Sequence, residues 1–311
     1  MMLARVADSL YWLGRYAERA EHVARLAGVM LNAMLDQTDA ADEAARIALA
    51  AVGGRSAADF SEVIEAASTL SIARDDPASV VSSLASAREN ARQVREQITT
   101  ETWEQLNHLY LRTTGVAAEK AFSTDATDFL HRIIADLHQF KGAADATMSH
   151  GEGWRFMLAG IYIERAQLIA RLLSAGFCSE TGSDDHVALV NLLRMGCALE
   201  PYLRVYTADI NARSILEFLM FDEEFPRSIR FATERIQEHV SHFSTGREPG
   251  RNDPLRLAGR LKARFAYADI DAIESGGAEE LLAGVQAGCA AINTAIFETF
   301  VAYPLEERLP A

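Results

Sequence analysis

Hydrophobic and polar residues recur along this chain at helical rather than strand spacing. Near the start, Trp12, Tyr16, Ala20, Val23, Ala27 and Met30 fall on one face, broadened by Leu13, Ala24 and Leu31, when successive residues turn by about 100°. Glu18 lies well away from that stripe, near Tyr11, His22 and Arg25, whereas Arg19 projects into it beside Trp12 and Leu26. The pattern predicts an amphipathic helix with one oddly placed arginine. Alternation of Val, Ile and Thr is nearly absent, so strands have little support.

Helix starts and stops divide the chain further. Asp8-Ser9 predicts a cap for a first helix to about Leu35, and Asp59 one for a short helix through Leu70. Asp76-Pro77 begins a helix to about Ile98, with proline at a position where its missing N–H costs nothing. Thr100-Glu101 starts another through Leu111, and a helix from about Asp125 to Met148 stops at Ser149-His150-Gly151-Glu152-Gly153. That two-glycine break divides the chain into 1–150 and 151–311. Beyond it come helices over about Gly153 to Ala175, from a cap at Asp184, from Pro201 through Phe221, and from Pro226 to His242. Two more run from Asn252-Asp253-Pro254 through Tyr267 and from Gly276-Gly277 to Val301. The reading is an all-α fold: a duplicated helical bundle, long helices with short loops, its two repeats packed as one body.

Duplication is the strongest internal signal. Gly14-Arg15-Tyr16-Ala17-Glu18-Arg19-Ala20-Glu21-His22-Val23-Ala24-Arg25-Leu26 matches Gly160-Ile161-Tyr162-Ile163-Glu164-Arg165-Ala166-Gln167-Leu168-Ile169-Ala170-Arg171-Leu172 without a gap at Gly, Tyr, Glu, Arg, both Ala, Arg and Leu. Weaker echoes are Asn90-Ala91-Arg92 and Asn211-Ala212-Arg213, each placed inside a helix. The second copy is apolar almost all round, with Met157, Ile161 and Leu168 beside Glu164, which predicts burial on every side. Glu164, Arg165 and Arg171 therefore need partners, since an unpaired buried charge is expensive. Glu164 and Arg171 share a face but reach each other poorly, so the partner belongs on another helix.

Composition narrows the chemistry. The 311 residues are 49% hydrophobic and 24% charged, as in a folded protein with a sizeable core. Thirty basic against 44 acidic residues give a net charge of −14, which argues against a nucleic-acid backbone or an anionic membrane as a general partner. Cys178, Cys197 and Cys289 are scattered and odd in number, fitting a reducing cytoplasm, and Cys197 is assigned to the core. No signal peptide is evident, and the most apolar run, Phe156 to Ile163, is too short to span a bilayer.

Candidate chemistry centres on the repeated charges. They either form cross-helix ion pairs that fix the register of the two halves, or line a pocket for a zwitterion or carboxylate such as an amino acid or peptide end. A third reading makes a glutamate a general base. Tyr16, Glu18, Arg19, Arg25, Tyr162, Glu164, Arg165 and Arg171 carry these readings, with Asn90, Arg92, Asn211 and Arg213 beside them. Arg227, in the first helical turn after Pro226, is unfavourable for the helix dipole; it is either solvated or aimed at an acid or a partner. His22 has Glu18 four residues before it, but Leu168 stands where a second histidine would be, so no metal site is expected. His131 and His138 share a face and read as surface residues. No nucleophile elbow, P-loop or dinucleotide fingerprint occurs, so no cofactor is expected.

The opening Leu10-Tyr11-Trp12-Leu13-Gly14-Arg15-Tyr16-Ala17-Glu18-Arg19 and its partner Tyr162-Ile163-Glu164-Arg165 resemble the Alpha-E family, α-helical domains with a Glu-Arg motif in tandem. Ala87 to Arg95, Trp103-Glu104 with Leu106-Asn107, and Phe225-Pro226-Arg227-Ser228 look like family segments too. The resemblance implies an accessory or substrate-binding role in peptide synthesis or modification, beside a circularly permuted ATP-grasp ligase and a transglutaminase-like protein. Ntn-type hydrolases are further implied neighbours. An enzyme using the repeated Glu and Arg for acyl or amide chemistry, or a structural scaffold of a ligase complex, are the alternatives. An oligomer is possible, and no catalytic residue carries over.

Overall fold

Short polar side chains start half of the described α-helices. Ser79, Thr99, Asp125, Asp185, Asn211, Ser228 and Asp253 each accept a hydrogen bond from a backbone N–H of the first turn that follows, satisfying donors that a helix leaves open. The computed structural model describes residues 2–35, 40–54, 56–177, 185–207, 209–244, 253–268 and 277–302. Among them are α1 (Ala4–Leu35), α2 (Ala40–Val52), α3 (Val63–Ile72), α4 (Val80–Gln93), α5 (Thr100–Thr113), α6 (Val116–Thr124) and α7 (Ala126–Thr147). After the glycine break follow α8 (Glu152–Phe177), α9 (His186–Met195), α10 (Leu199–Tyr206), α11 (Ala212–Phe221), α12 (Ile229–Phe243), α13 (Pro254–Ala266) and α14 (Ala278–Ile296). No strand occurs among the described residues, as the absence of alternation predicts.

Several boundaries differ from the sequence reading, each for a local reason. Asp8-Ser9 lies inside α1, which begins at Ala4. Asp59 closes a short 3-10 turn capped by Ser56, and α3 starts later. After Pro77 and Pro226 the chain makes one more turn before Ser79 and Ser228 cap α4 and α12; each serine hydroxyl also donates to a carbonyl six residues back, Ala73 or Asp222, at 2.5 Å. The helix after Pro201 is two helices, broken at Thr207, whose φ of 57° is left-handed. Asn211 is consequently a cap, whereas Asn90 sits within α4 and donates to the Ser86 carbonyl, so the two Asn-Ala-Arg triplets do not correspond. Helices α2 and α6 were not foreseen at all. Asp184, Gly276 and Cys178 lie outside the described residues, and Cys197 is half-exposed in the turn before α10 rather than in the core.

The two runs of helices are arranged alike. α4 and α7 flank α1, and α5 bridges them; α12 and α14 flank α8, and α13 bridges those. α1 and α8 then pack on each other at the centre, with α2 leaning on α8 and α9 on α1. This explains why α1 is not amphipathic in the ordinary sense: Tyr11, Arg15, Glu18 and His22 are buried along with Leu10, Leu13 and Ala20. α8 is buried on every side, as its composition predicts.

The crossing is held close by two glycines. A Cβ on Gly14 would run into the backbone carbonyl of Met157, and a Cβ on Gly160 into that of Tyr11. The contacts are reciprocal, since Gly14 and Gly160, and likewise Tyr11 and Met157, occupy matching places in the two copies. Neither obstruction is a side chain that can rotate away. Gly14→Ala or Gly160→Ala is expected to lower unfolding stability by about 3 kcal/mol or more, whereas Gly142→Ala, at an open position of α7, should be neutral or stabilise by about 0.5–1 kcal/mol; denaturant unfolding of the three variants checks this.

Candidate functional site at the crossing of two Glu-Arg helices

One turn beyond each glycine, the motif charges meet across the crossing. Arg165 of α8 donates from Nε and Nη2 to the two carboxylate oxygens of Glu18 on α1, at 2.7 and 2.9 Å. Arg19 of α1 donates from Nε to Glu164 of α8 at 2.7 Å. The four residues form two ion pairs exchanged between the helices. Each arginine is backed by the tyrosine three residues before it on its own helix: Arg19 lies 5.4 Å from the Tyr16 ring centre and Arg165 5.0 Å from that of Tyr162. Such a stack holds a guanidinium in place without consuming its donors. Glycine, tyrosine, glutamate and arginine of the repeat thus each have a physical task.

The surroundings of the two pairs differ. Glu164 also accepts from Arg15 Nε at 2.7 Å, and Arg15 passes on to Gln167 at 2.9 Å and to Asn293 of α14 at 2.8 Å, where the Tyr11 hydroxyl donates as well. Around Glu18 the matching places hold more charge. Lys141 of α7 bridges Glu18 and Glu21, at 2.6 Å from the latter. Arg227 pairs with Glu21 and stands 3.6 Å from Glu18, Arg25 reaches Glu21 at 3.0 Å, and His138 Nε2 lies 3.2 Å from it. Arg165 adds a bond to the Pro226 carbonyl at 3.0 Å. Two carboxylates therefore face Arg25, Lys141, Arg165 and Arg227, a local surplus of positive charge in an acidic chain.

Burial alone would push these carboxylates towards the protonated form. Glu18 and Glu164 are only 1% and 2% exposed, yet the neighbouring cations outweigh desolvation. Arg165, Lys141 and Arg227 hold the Glu18 carboxyl far below the ordinary 4.5, Lys141 and Arg227 do the same for Glu21, and Arg15 and Arg19 lower Glu164. A general base needs a pKa near its working pH, so neither motif glutamate suits that task. His22, buried among Arg227, Arg25 and the two glutamates, is driven down to about 3 by burial and then by Arg227, and its Nε2 has no partner. Among the described residues no group of three His, Cys, Asp or Glu gathers to hold a metal ion.

A cavity of about 180 Å³ opens beside the Glu18 cluster, between α7 and α8. Lys141, Arg165 and Asp145 line it together with Trp154, Tyr162 and Phe140. Next to it, His150 stacks on Trp154 at 3.8 Å, and Tyr162 stacks on the buried His239.

The sequence-predicted residues divide accordingly. Tyr16, Glu18, Arg19, Arg25, Tyr162, Glu164, Arg165 and Arg227 converge on the crossing. Arg227 is buried and precedes its helix instead of lying in its first turn, so the acid it was offered is Glu21 and the solvated reading falls. Arg171 is half-buried further along α8 and makes no ion pair with a described residue, because Gln167 stands where Arg25 has Glu21. Arg92 is spent on exposed Glu89, Arg213 is exposed in α11, and Asn90 and Asn211 serve their own backbones. Sequence reasoning missed Arg15, Glu21, Lys141, Gln167 and Asn293; His138 is exposed, as expected, with its Nε2 reaching in to Glu21. The available signal was the polar strip Tyr11, Arg15, Glu18 and His22 on α1; nothing local marks Lys141 or Asn293.

Fold and crossing together define an all-α protein organised around exchanged, buried Glu-Arg pairs. The chain belongs to the Alpha-E family, described as a predicted alpha-helical domain with a conserved ER motif, whose model matches residues 2–301. It is 26% identical to an uncharacterized protein of Mycobacterium bovis, and 26% and 25% identical to uncharacterized proteins of two Mycobacterium tuberculosis strains, over 96% of its own length in each case. It spans only 37% of the length of those relatives. No solved structure matches.

Two outcomes follow from the buried charges. Glu164→Gln should cost about 3–5 kcal/mol by stranding Arg15 and Arg19, while Glu89→Gln, which breaks a solvent-screened pair, should leave stability essentially unchanged; thermal or denaturant unfolding separates them. Stability should also fall with acid in two stages. His239, lowered to about 4 by burial and then by Arg155 and Arg235, and His22 bind protons less readily folded than unfolded, as do the three glutamates. The loss therefore begins as pH drops below the ordinary histidine value of 6.5 and steepens below 4.5 as the carboxylates join. A melting-temperature series against pH checks this, and His239→Phe should weaken the first stage, leaving the share of His22 and the second stage in place.

Proposed function

We propose that this chain is a non-catalytic, substrate-binding accessory unit of a peptide synthesis or modification system, acting in the cytoplasm beside an ATP-grasp-type ligase. The carrying observation is the surplus of cations around Glu18 and Glu21, two of which, Lys141 and Arg165, line a 180 Å³ cavity. Lys141 and Arg165 suit a carboxylate, Asp145 on the same wall suits an ammonium group, and Trp154 and Tyr162 offer a flat apolar body. That combination fits an amino acid or a peptide end. The ionised, doubly paired state of both motif glutamates speaks against acyl or amide chemistry by the chain itself. The greater length of the relatives supports an accessory role, since there this unit is accompanied by further polypeptide. The ligase and the transglutaminase-like partner rest on the family resemblance alone.

The same reading takes α1–α7 and α8–α14 as products of a tandem duplication whose Glu-Arg pairs became structural, while one side, where Lys141 lines the cavity and Glu21 and Arg227 stand behind it, turned to binding. A scaffold without a ligand is the second reading, favoured by how completely the pairs neutralise each other. Lys141→Met separates the two. Mixed with a circularly permuted ATP-grasp ligase, the folded variant should still co-purify with it but lose the substrate dependence of ATP turnover that the parent chain confers. Unchanged turnover would leave only the scaffold, and amide formation or hydrolysis by the parent chain alone would defeat the accessory reading.

A further inference from the structure

A second feature lies away from the crossing, in the seam between α13 and α14. The equivalent seam in the first run of helices is the one between α5 and α7. Buried positions align the two pairs: Thr102, Leu106, Leu109 and Thr113 of α5 fall at Pro254, Ala258, Leu261 and Phe265 of α13, while Leu130, Ile133, Leu137 and Phe140 of α7 fall at Leu282, Val285, Cys289 and Ile292 of α14. In this register Arg112 corresponds to Arg264, Arg132 to Gly284 and Asp136 to Gly288.

The first seam is closed by its own chain. Arg112 pairs with Asp136 at 2.5 Å, and α6 lies over it, with Phe122 edge-on to Phe129 at 5.8 Å. The space left there is about 200 Å³. In the second seam the arginine is kept and the acid is gone. Ala287 and Ala291 form the exposed strip of α14 between Gly284 and Gly288, Leu257 and Leu261 form the other wall, and Arg260 and Arg264 are exposed, the Arg264 guanidinium lying over Gly284. The groove measures about 540 Å³. Neither Arg260 nor Arg264 has a carboxylate of the described residues within ion-pair reach, and α13 as a whole carries Arg256, Arg260, Lys262 and Arg264 without one acidic residue.

We propose that this groove receives an amphipathic helix of a protein partner, with Asp or Glu flanking its apolar stripe. Charge complementarity selects the occupant: four cations on one helix of a chain with net charge −14 call for an acidic guest. Gly284 and Gly288 let Arg264 and Leu261 of α13 lie close against α14, Ala287 and Ala291 stay exposed beside them for a guest's apolar stripe, and α6 shows a helix seated on the matching seam. A lipid surface is the rival, because Ala278–Val301 is long and apolar enough to cross a membrane and only 33% of its apolar stretch is buried. Its buried side, however, is committed: Leu282, Val285, Cys289 and Ile292 pack in the core. The inference concerns where a partner seats and stands whether or not the cavity beside Glu18 binds substrate.

The test uses the full chain and a labelled helical peptide with leucines at i, i+3, i+4 and i+7 flanked by glutamates, against its lysine-flanked twin, by fluorescence anisotropy. The acidic peptide should bind at least about tenfold more tightly, a gap of about 1.4 kcal/mol. Arg260→Glu with Arg264→Glu should reverse the preference. Ala287→Trp, at an exposed position, should abolish binding of the acidic peptide while leaving the melting temperature unchanged. Equal binding of the two peptides, no binding of either, or an unaltered preference in the double variant would overturn the proposal. So would phosphatidylserine vesicles, or self-association seen by sedimentation, proving to be what Ala287→Trp blocks while the acidic peptide is ignored.

Discussion

Everything in this molecule is arranged around two helices that cross closely enough for each to set a glycine on the other's backbone. At that spacing the side chains one turn further on cannot avoid each other, and they are of opposite charge. Removing carboxylates and guanidiniums from water costs several kcal/mol per ion, so close approach alone would be unfavourable. The exchange of Arg165 for Glu18 and of Arg19 for Glu164 offsets that cost with charge-assisted bonds, and the tyrosines hold the guanidiniums in the geometry that the bonds require. The apolar packing of α4, α7, α12 and α14 then completes the enclosure.

A buried ion pair contributes less to net stability than to selecting one arrangement over others. Sliding α1 along α8 by a single turn would part both pairs and put side chains where the glycines now sit. Register is thus specified twice, sterically and electrostatically, at the same place. The two mechanisms reinforce each other because each glycine lies one turn before its glutamate, on the same side of the helix.

Symmetry at the crossing makes the departures from it informative. Glu21, His22 and Lys141 stand on one side where Gln167, Leu168 and Asn293 stand on the other, and Arg227 occupies a place held by Ala78 in the matching turn before α4. The first side gathers several cations around two carboxylates and opens on a cavity; the second has one carboxylate, held by Arg15 and Arg19, with Arg15 completed by the neutral acceptors Gln167 and Asn293. The seams behave in the same way, one closed by an ion pair and a helix, the other left with arginines and a floor of small residues. In both cases the differences, rather than the shared frame, are where a ligand or partner would find something to recognise.

Local chemistry along the chain was enough for the helical class, the glycine break, the helix starts at Asp125 and Asp253, and the need of Glu164 for a partner on another helix, because helix periodicity, terminal signals and the cost of buried charge act over a few residues. It also singled out the motif itself. Other features depended on what packs against what. α1 reads as amphipathic, yet its polar strip is buried, since another helix with complementary charge covers it. Arg227 reads as either solvated or aimed at an acid or a partner, and the turn after Pro226 decides it by folding the side chain towards Glu21. Lys141 and Asn293 carry no local mark, and only the placement of α7 and α14 against the central pair brings them to the charges they meet. Sequence determined which groups had to be neutralised; the tertiary structure decided by whom, because a charge finds its partner through space and not along the chain.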